Sequence, residues 1–139
     1  MNTPLTLKHK VYFFIPFGLI AVLLLYSWVN FLTTDNYAQF SQYLGLVLFL
    51  PLIYFLYKDK TFKYVIILTG VYLVLATVNI LSFLPFIMTN TFGIRIGSLN
   101  IWSPRLNGFA LLLLITYSIF NFDNLVTIYH DYKETKGTL

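Results

Sequence analysis

The stretch Lys58-Asp59-Lys60-Thr61-Phe62-Lys63 is a short, net-positive break between two long apolar runs. The chain has 139 residues, of which 58% are hydrophobic and only 10% are charged. Soluble domains carry about a quarter charged residues, and one of this length could not bury so much apolar surface. The composition therefore predicts an integral membrane protein whose helices are joined by this basic loop.

Apolar runs on both sides of the loop predict an all-α membrane protein, a four-transmembrane-helix bundle. About 20 residues at about 1.5 Å each cross a hydrocarbon core of roughly 30 Å. We expect a single domain over residues 1–139, with spans at about residues 11–32, 36–57, 62–86 and 104–122. A fourth helix that starts at Pro104 is expected to continue beyond the membrane as an amphipathic helix over about residues 122–134.

Short motifs indicate where the helices begin. Thr3-Pro4 and Ser103-Pro104 each place an N-cap residue before a proline, and Asp35 and Thr61 are candidate caps of the second and third spans. Pro51 lies inside the second span and is expected to bend it.

Residues 88–103 favour a short β-hairpin in the outer loop between the third and fourth helices. Two short apolar segments flank Gly97-Ser98, which suits a type II′ turn. The expected register pairs Ile96 with Leu99, Ile94 with Ile101, and Arg95 with Asn100. A plain connecting loop remains the alternative.

The C-terminal segment is amphipathic. Phe122 begins an apolar face that recurs at helical spacing through Leu125, Val126, Tyr129 and Tyr132. Three placements remain open: the membrane surface, packing on the 58–63 loop, or binding of a partner. For the last, the candidate docking residues are Leu125, Val126, Tyr129 and Tyr132.

The lysines predict the orientation. If both termini share a side with the 58–63 loop, that side carries Lys8, Lys10, Lys58, Lys60, Lys63, Lys133 and Lys136. The other side carries only Arg95 and Arg105. Because cytoplasmic loops are enriched in Lys and Arg, both termini are expected in the cytoplasm.

The residue types argue against catalysis, a cofactor or a metal site. There is no cysteine, and the spans lack Asp, Glu, Lys, Arg and His away from their ends. His9 and His130 do not have a spacing diagnostic of a metal site. The net charge of +4 follows the topology of the lysines, so nucleic acid is not an expected partner. We therefore expect a non-enzymatic protein.

The first functional hypothesis is a pore or membrane-permeabilising effector formed by a homo-oligomer. Small and polar residues at helical spacing mark the face of a span that meets other helices. The candidates for helix packing or pore lining are Thr69, Tyr72, Ala76, Asn79, Tyr117 and Asn121.

Two alternatives remain open. One is an assembly subunit that docks a cytoplasmic protein, and the other is a small transporter or flippase of a neutral or lipid-like solute. Lys58, Lys60 and Lys63 are candidates for an anionic ligand that gates the pore, although they also suit anionic lipid headgroups.

In layout the chain is similar to small four-span bacterial membrane proteins, which implies a bacterial inner membrane. It lacks the membrane-embedded glutamate of small multidrug exporters and the cysteines of quinone-linked disulfide-forming enzymes.

Overall fold

The computed structural model of the protein describes residues 7–34, 37–58, 62–84, 93–96, 99–102 and 106–137. Within these ranges the chain forms helices and one two-stranded antiparallel sheet. The elements in chain order are α1 (Leu7–Thr33), α2 (Phe40–Lys58), α3 (Lys63–Thr77), β1 (Gly93–Ile96), β2 (Leu99–Trp102), α4 (Gly108–Phe120) and α5 (Phe122–Gly137).

Two helices are long and apolar enough to cross a membrane. They are α1, over Val11–Thr33, and α2, over Phe40–Lys58. The bent pair Gly108–Phe120 and Phe122–Glu134 would be a third if it counts as one span. These helices agree with the predicted class, an α-helical membrane protein.

The third helix is shorter than predicted. α3 ends at Thr77 after 15 residues, which rise only roughly 22 Å, whereas the sequence predicts a helix from residue 62 to about residue 86. Asn79 then adopts a φ of 60°, a left-handed conformation that Asn tolerates better than most residues. It therefore follows the helix that was expected to contain it.

The chain after α3 leaves the helix because α2 supplies other partners for its backbone. The Ser82 N–H donates to the Ser41 carbonyl at 2.8 Å. The Gln42 side-chain amide donates to the Leu84 carbonyl at 3.2 Å. Residues 81–84 are all buried, so these bonds replace those that a continued helix would have made.

The helix starts also differ from the predicted ones. α2 begins at Phe40 rather than at residue 36, and the Gln42 Oε1 accepts from the Gln39 N–H at 2.6 Å. α4 begins at Gly108 rather than at Pro104, because the Asn107 Oδ1 accepts from the Ala110 N–H at 3.1 Å and caps it. The cap residues predicted at Thr3, Asp35, Thr61 and Ser103 lie outside the described residues.

The strands pair in the predicted register, with Ile94 opposite Ile101, Arg95 opposite Asn100, and Ile96 opposite Leu99. Period-2 alternation around a two-residue turn was enough to predict this pairing. The turn itself, Gly97-Ser98, is outside the described part of the chain.

Consecutive helices from α1 to α4 run in opposite directions, so their ends meet in two groups. At one end Phe13, near the start of α1, lies 6.3 Å from Phe62 and 6.5 Å from Tyr117 between ring centroids. At the other end Trp28 and Tyr43 are 5.3 Å apart, and the Asn107 N–H donates to the Thr77 carbonyl at 2.8 Å. We call the first end, where α2 ends at Lys58 and α3 begins at Lys63, the basic end.

The interior combines aromatic packing with polar side chains, while the outer faces of the helices are apolar. Phe17 and Phe49 stack at 5.2 Å between α1 and α2. Exposed apolar side chains on the outer faces include Val22, Leu25, Val47, Leu50, Val71 and Ile115. The buried polar residues are Ser27, Gln42, Thr69, Thr77, Ser82, Asn107, Asn121 and Asn124. A surface with this many exposed apolar side chains suits lipid as the surrounding solvent.

Gly45 permits the contact between α2 and the segment after α3. A Cβ at Gly45 would lie 2.1 Å from the Ser82 carbonyl oxygen, whereas a Cβ at Gly18 of α1 would meet nothing within 4 Å. We therefore expect Gly45→Ala to force the two backbones apart and to lower the free energy of unfolding by about 1–3 kcal/mol. Thermal unfolding of the purified protein in detergent measures this as a lower Tm.

The matched control is Gly18→Ala, which removes backbone freedom without a clash. It is expected to leave the Tm unchanged or to raise it, because Gly inside a helix is less stable than Ala by about 0.5–1 kcal/mol. Equal effects of the two substitutions would contradict the close approach at Ser82.

Candidate functional site

The structure buries most of the predicted polar face of the third span. Thr69, Tyr72 and Ala76 are all buried, while Asn79 is only partly buried. The Tyr72 hydroxyl donates to the Gly45 carbonyl at 3.1 Å, and the Thr69 hydroxyl donates to the Val65 carbonyl of its own helix at 2.7 Å. These polar groups are therefore bonded within one chain.

Tyr117 of α4 lies in the same interior. Its ring is 1% exposed and its hydroxyl donates to the Ile66 carbonyl at 2.6 Å, which joins α4 to α3. In the described part of the chain, every buried side-chain nitrogen and oxygen has a hydrogen-bond partner. Within these residues, the buried polar side chains are thus satisfied inside a single chain.

Asn121 forms an elbow between α4 and α5. Its side-chain Nδ2 donates to the Tyr117 carbonyl at 3.1 Å, and its Oδ1 accepts from the Asn124 Nδ2 at 3.1 Å. The helices on either side meet at 69°. One continuous helix past Phe122, which the sequence allowed, is therefore not formed, and the amphipathic helix expected over about residues 122–134 is the separate helix α5.

The region where α5 meets the basic end is the candidate functional site. Leu125 and Ile128 pack against the hydrophobic core and Asn124 is buried. Lys63 at the start of α3 forms a salt bridge with Asp131 of α5. Among the three placements left open by the sequence, the structure shows α5 packed against one end of the 58–63 loop.

The salt bridge changes the acidity of Asp131. The hydrogen bond from Lys63 holds the pKa of the Asp131 carboxyl below its ordinary value of 3.8. The carboxylate is therefore charged at neutral pH, and the contact is lost only when acid protonates it.

The candidate lysines for an anionic ligand are not gathered into one cluster among the residues described. Lys63 is paired with Asp131. The Lys58 Nζ donates to the Tyr54 hydroxyl at 3.0 Å and lies 5.4 Å from the centre of that ring. Lys60 lies outside the described residues.

The candidate partner-docking residues of α5 divide between two environments. Leu125 packs against the core, whereas Val126, Tyr129 and Tyr132 are exposed. Since Leu125 is already engaged, only the other three are accessible for docking.

Three amide side chains form hydrogen bonds that join or cap the helices, and none of them was among the predicted site residues. Gln42 joins α2 to the segment after α3, Asn107 caps α4, and Asn124 bonds to Asn121. Their signal was an amide next to or within an apolar run, where an unpaired polar group is unfavourable and a partner is required.

The described residues offer little chemistry for a bound group. No cluster of three or more metal-ligating side chains occurs among them. A crevice of about 120 Å³ between α2 and α3 is lined mainly by apolar side chains, among them Leu48, Pro51 and Leu68. This crevice suits hydrocarbon rather than a polar substrate.

No protein-family model, curated protein or solved structure matches this chain. Inference about its function therefore rests on the geometry of its own residues.

The bond between Tyr117 and Ile66 joins α3 and α4, so its removal is expected to weaken their packing. Tyr117→Phe keeps the ring and deletes the hydroxyl, which should lower the free energy of unfolding by about 1 kcal/mol. Tyr26→Phe is the control, because Tyr26 lies on the exposed face of α1. Chemical unfolding in mixed micelles would compare them, and an unchanged midpoint for Tyr117→Phe would contradict the bond.

The Lys63–Asp131 pair is expected to hold α5 in place. Hydrogen exchange of the α5 amides should rise a few-fold in Lys63→Gln, because the carboxylate loses its partner. Lys58→Gln is the control, since Lys58 bonds to Tyr54 and not to α5. Equal exchange in the two variants would show that the pair does not hold the helix.

The same pair predicts a pH dependence. The lowered pKa of Asp131 means that the contact is fully present above the ordinary value of 3.8 and is lost as the pH falls through the lowered value. After correction for intrinsic rates, wild-type α5 exchange should be constant from neutral pH down to about pH 4 and should increase only in stronger acid. A loss of protection already between pH 5 and 7 would assign the effect to another group.

Proposed function

We propose that this chain is a non-enzymatic integral membrane protein that acts as an assembly subunit. In this proposal α1 to α4 cross a bacterial inner membrane, and the basic end with α5 faces the cytoplasm. A cytoplasmic protein binds to the water-facing side of α5. One observation carries the proposal. In the described residues, the buried polar side chains are hydrogen-bonded within the chain, and the outer helix faces are mainly apolar, which leaves the surfaces of the molecule for function.

The exterior supports the membrane part of the proposal. In the most apolar 18-residue stretch of α1, only 33% is buried within the chain, and in that of α2 only 22%. The remaining apolar surface is far larger than a soluble monomer exposes. Lipid accounts for it without a further partner.

The meeting of the helix ends supports the orientation. α1 begins, α2 ends, α3 begins and α4 ends at the basic end, where α5 also packs. Seven of the nine Lys and Arg residues belong to segments at or beyond these helix ends. By the positive-inside rule, this distribution supports a cytoplasmic basic end.

The short helices α3 and α4 are compatible with spanning. The non-helical residues 81–84 extend α3 and are buried, with backbone bonds to α2. Irregular backbone is tolerated at membrane depth when it is covered by protein in this way. Local thinning of the bilayer can accommodate the remaining mismatch.

The geometry favours an assembly subunit over the pore or effector suggested by the sequence. A pore between copies would be lined by outer helix faces, and those described carry mainly apolar and aromatic side chains, among them Val22, Leu50 and Tyr26. The polar side chains Thr69, Tyr72, Tyr117 and Asn121 are bonded inside one chain. A solute path for a transporter or flippase would need these same four polar side chains, which are already hydrogen-bonded.

Site-specific photocrosslinking in native membranes tests the proposal. A photoreactive residue at His130, on the polar side of α5, should capture one cytoplasmic protein, whereas the same residue at Tyr37 should not. Tyr37 is 96% exposed and follows α1 at the opposite end. The captured protein should also bind the purified chain and lose that binding with Thr127→Arg, a change on the same polar side that leaves the Tm unaltered.

Flux measurements in liposomes distinguish the assembly subunit from a pore. The purified chain in liposomes is expected to release no more dye or ions than empty vesicles. Release that grows with protein density, together with no capture at His130, would overturn the assembly subunit in favour of the pore.

A further inference from the structure

α5 carries an exposed apolar face that is distinct from the one packed on the core. Phe122, Val126, Tyr129 and Tyr132 form what we call the aromatic stripe, and the first and third are 64% and 63% exposed. Residues three or four apart share a helix face. The stripe therefore runs along the helix beside the partly buried side chains of Leu125 and Ile128.

The polar side chains of α5 lie on the remaining side. Asp123, Thr127, His130 and Glu134 are all exposed and recur at helical spacing. The apolar half of α5 is thus continuous. One part packs against the bundle, and the other part, the stripe, is exposed. A helix in water would not need this second apolar part, but one at a membrane interface would.

With α4 spanning the membrane as proposed above, the elbow directs α5 along the membrane rather than through it. At 69° to α4, a helix next to a spanning helix runs closer to the membrane plane than to its normal. Ser118, Ile119 and Phe122 line a shallow groove at the elbow, and Ile119 on the outer face of α4 is exposed. The exposed Phe122 at the start of the stripe therefore lies next to the exposed Ile119 of α4.

The residue types of the stripe match the headgroup region. Tyr is enriched at membrane interfaces because its ring is apolar and its hydroxyl is polar. Lys133 is exposed and falls on the same side as Phe122 and Tyr129 by helical spacing. Its position suits the anionic headgroups of the cytoplasmic leaflet.

We propose that α5 is an interfacial helix whose aromatic stripe contacts lipid at the boundary between headgroups and acyl chains. The Lys63–Asp131 pair and the packed Leu125 and Ile128 then fix its rotation, so that the polar side faces water. This inference rests on the membrane insertion in the proposed function but not on the proposed partner. It also specifies which side of α5 remains for that partner.

The absence of cysteine from the sequence makes a labelling test direct. Single-cysteine variants of the full chain would carry a nitroxide label in vesicles of neutral and anionic phospholipid, and collision with oxygen and with a water-soluble nickel complex would be measured. The label at Tyr129→Cys should show an oxygen-to-nickel accessibility ratio several-fold higher than the label at Thr127→Cys. These positions are matched, because both are exposed and lie on the same helix.

A third label, at Val22→Cys on the outer face of α1, separates this inference from the proposed function. A high ratio at Val22 and a low ratio at Tyr129 would overturn the interfacial helix while leaving membrane insertion intact. A low ratio at Val22 would overturn membrane insertion and the inference with it. Shielding of Tyr129 from both reagents would assign the stripe to a protein contact instead of lipid, and would also overturn the inference.

Discussion

The close contact between α2 and the chain after α3 is the constraint on which the rest of the fold depends. Gly45 brings the α2 backbone against Ser82, and Gln42 bonds to the Leu84 carbonyl. In a low-dielectric environment a free N–H or C=O is strongly unfavourable, so a helix can end there only when another segment supplies partners. Because α2 does so, α3 ends at Thr77 and Asn107 bonds to its last carbonyl.

The elbow at Asn121 marks the other end of α4. The backbone N–H of Asn121 donates to the Tyr117 carbonyl at 3.0 Å, and its side-chain Nδ2 donates to the same oxygen at 3.1 Å. Asn124 then bonds to Asn121 and begins the packed face of α5. Local hydrogen bonds therefore accompany the change of direction of 69° between the two helices.

The distribution of polarity is the reason for proposing that this chain functions through its surfaces. The buried amides and hydroxyls are used to join helices, and in the described residues none is left without a partner. The exposed side chains of α1 and α2 are mainly apolar or aromatic, such as Val22 and Leu50, and suit contact with lipid. The part with both charge and amphipathic character is the basic end with α5, where Lys63 and Asp131 meet.

Local patterns determined the membrane class, the first two apolar helices, an amphipathic segment at the C-terminal end, and the register of the β-hairpin. Each depends on residues close together in the chain, such as the alternation that pairs Ile94 with Ile101. Only the tertiary structure decided where α3 ends, how α4 packs on α3, and which side of α5 is buried. These features depend on hydrogen bonds between residues far apart in the chain. The pairs are Gln42 with Leu84, Ile66 with Tyr117, and Lys63 with Asp131, which are separated by 42, 51 and 68 positions. No pattern within a single helix specifies such partners, because each becomes available only when the segments have packed.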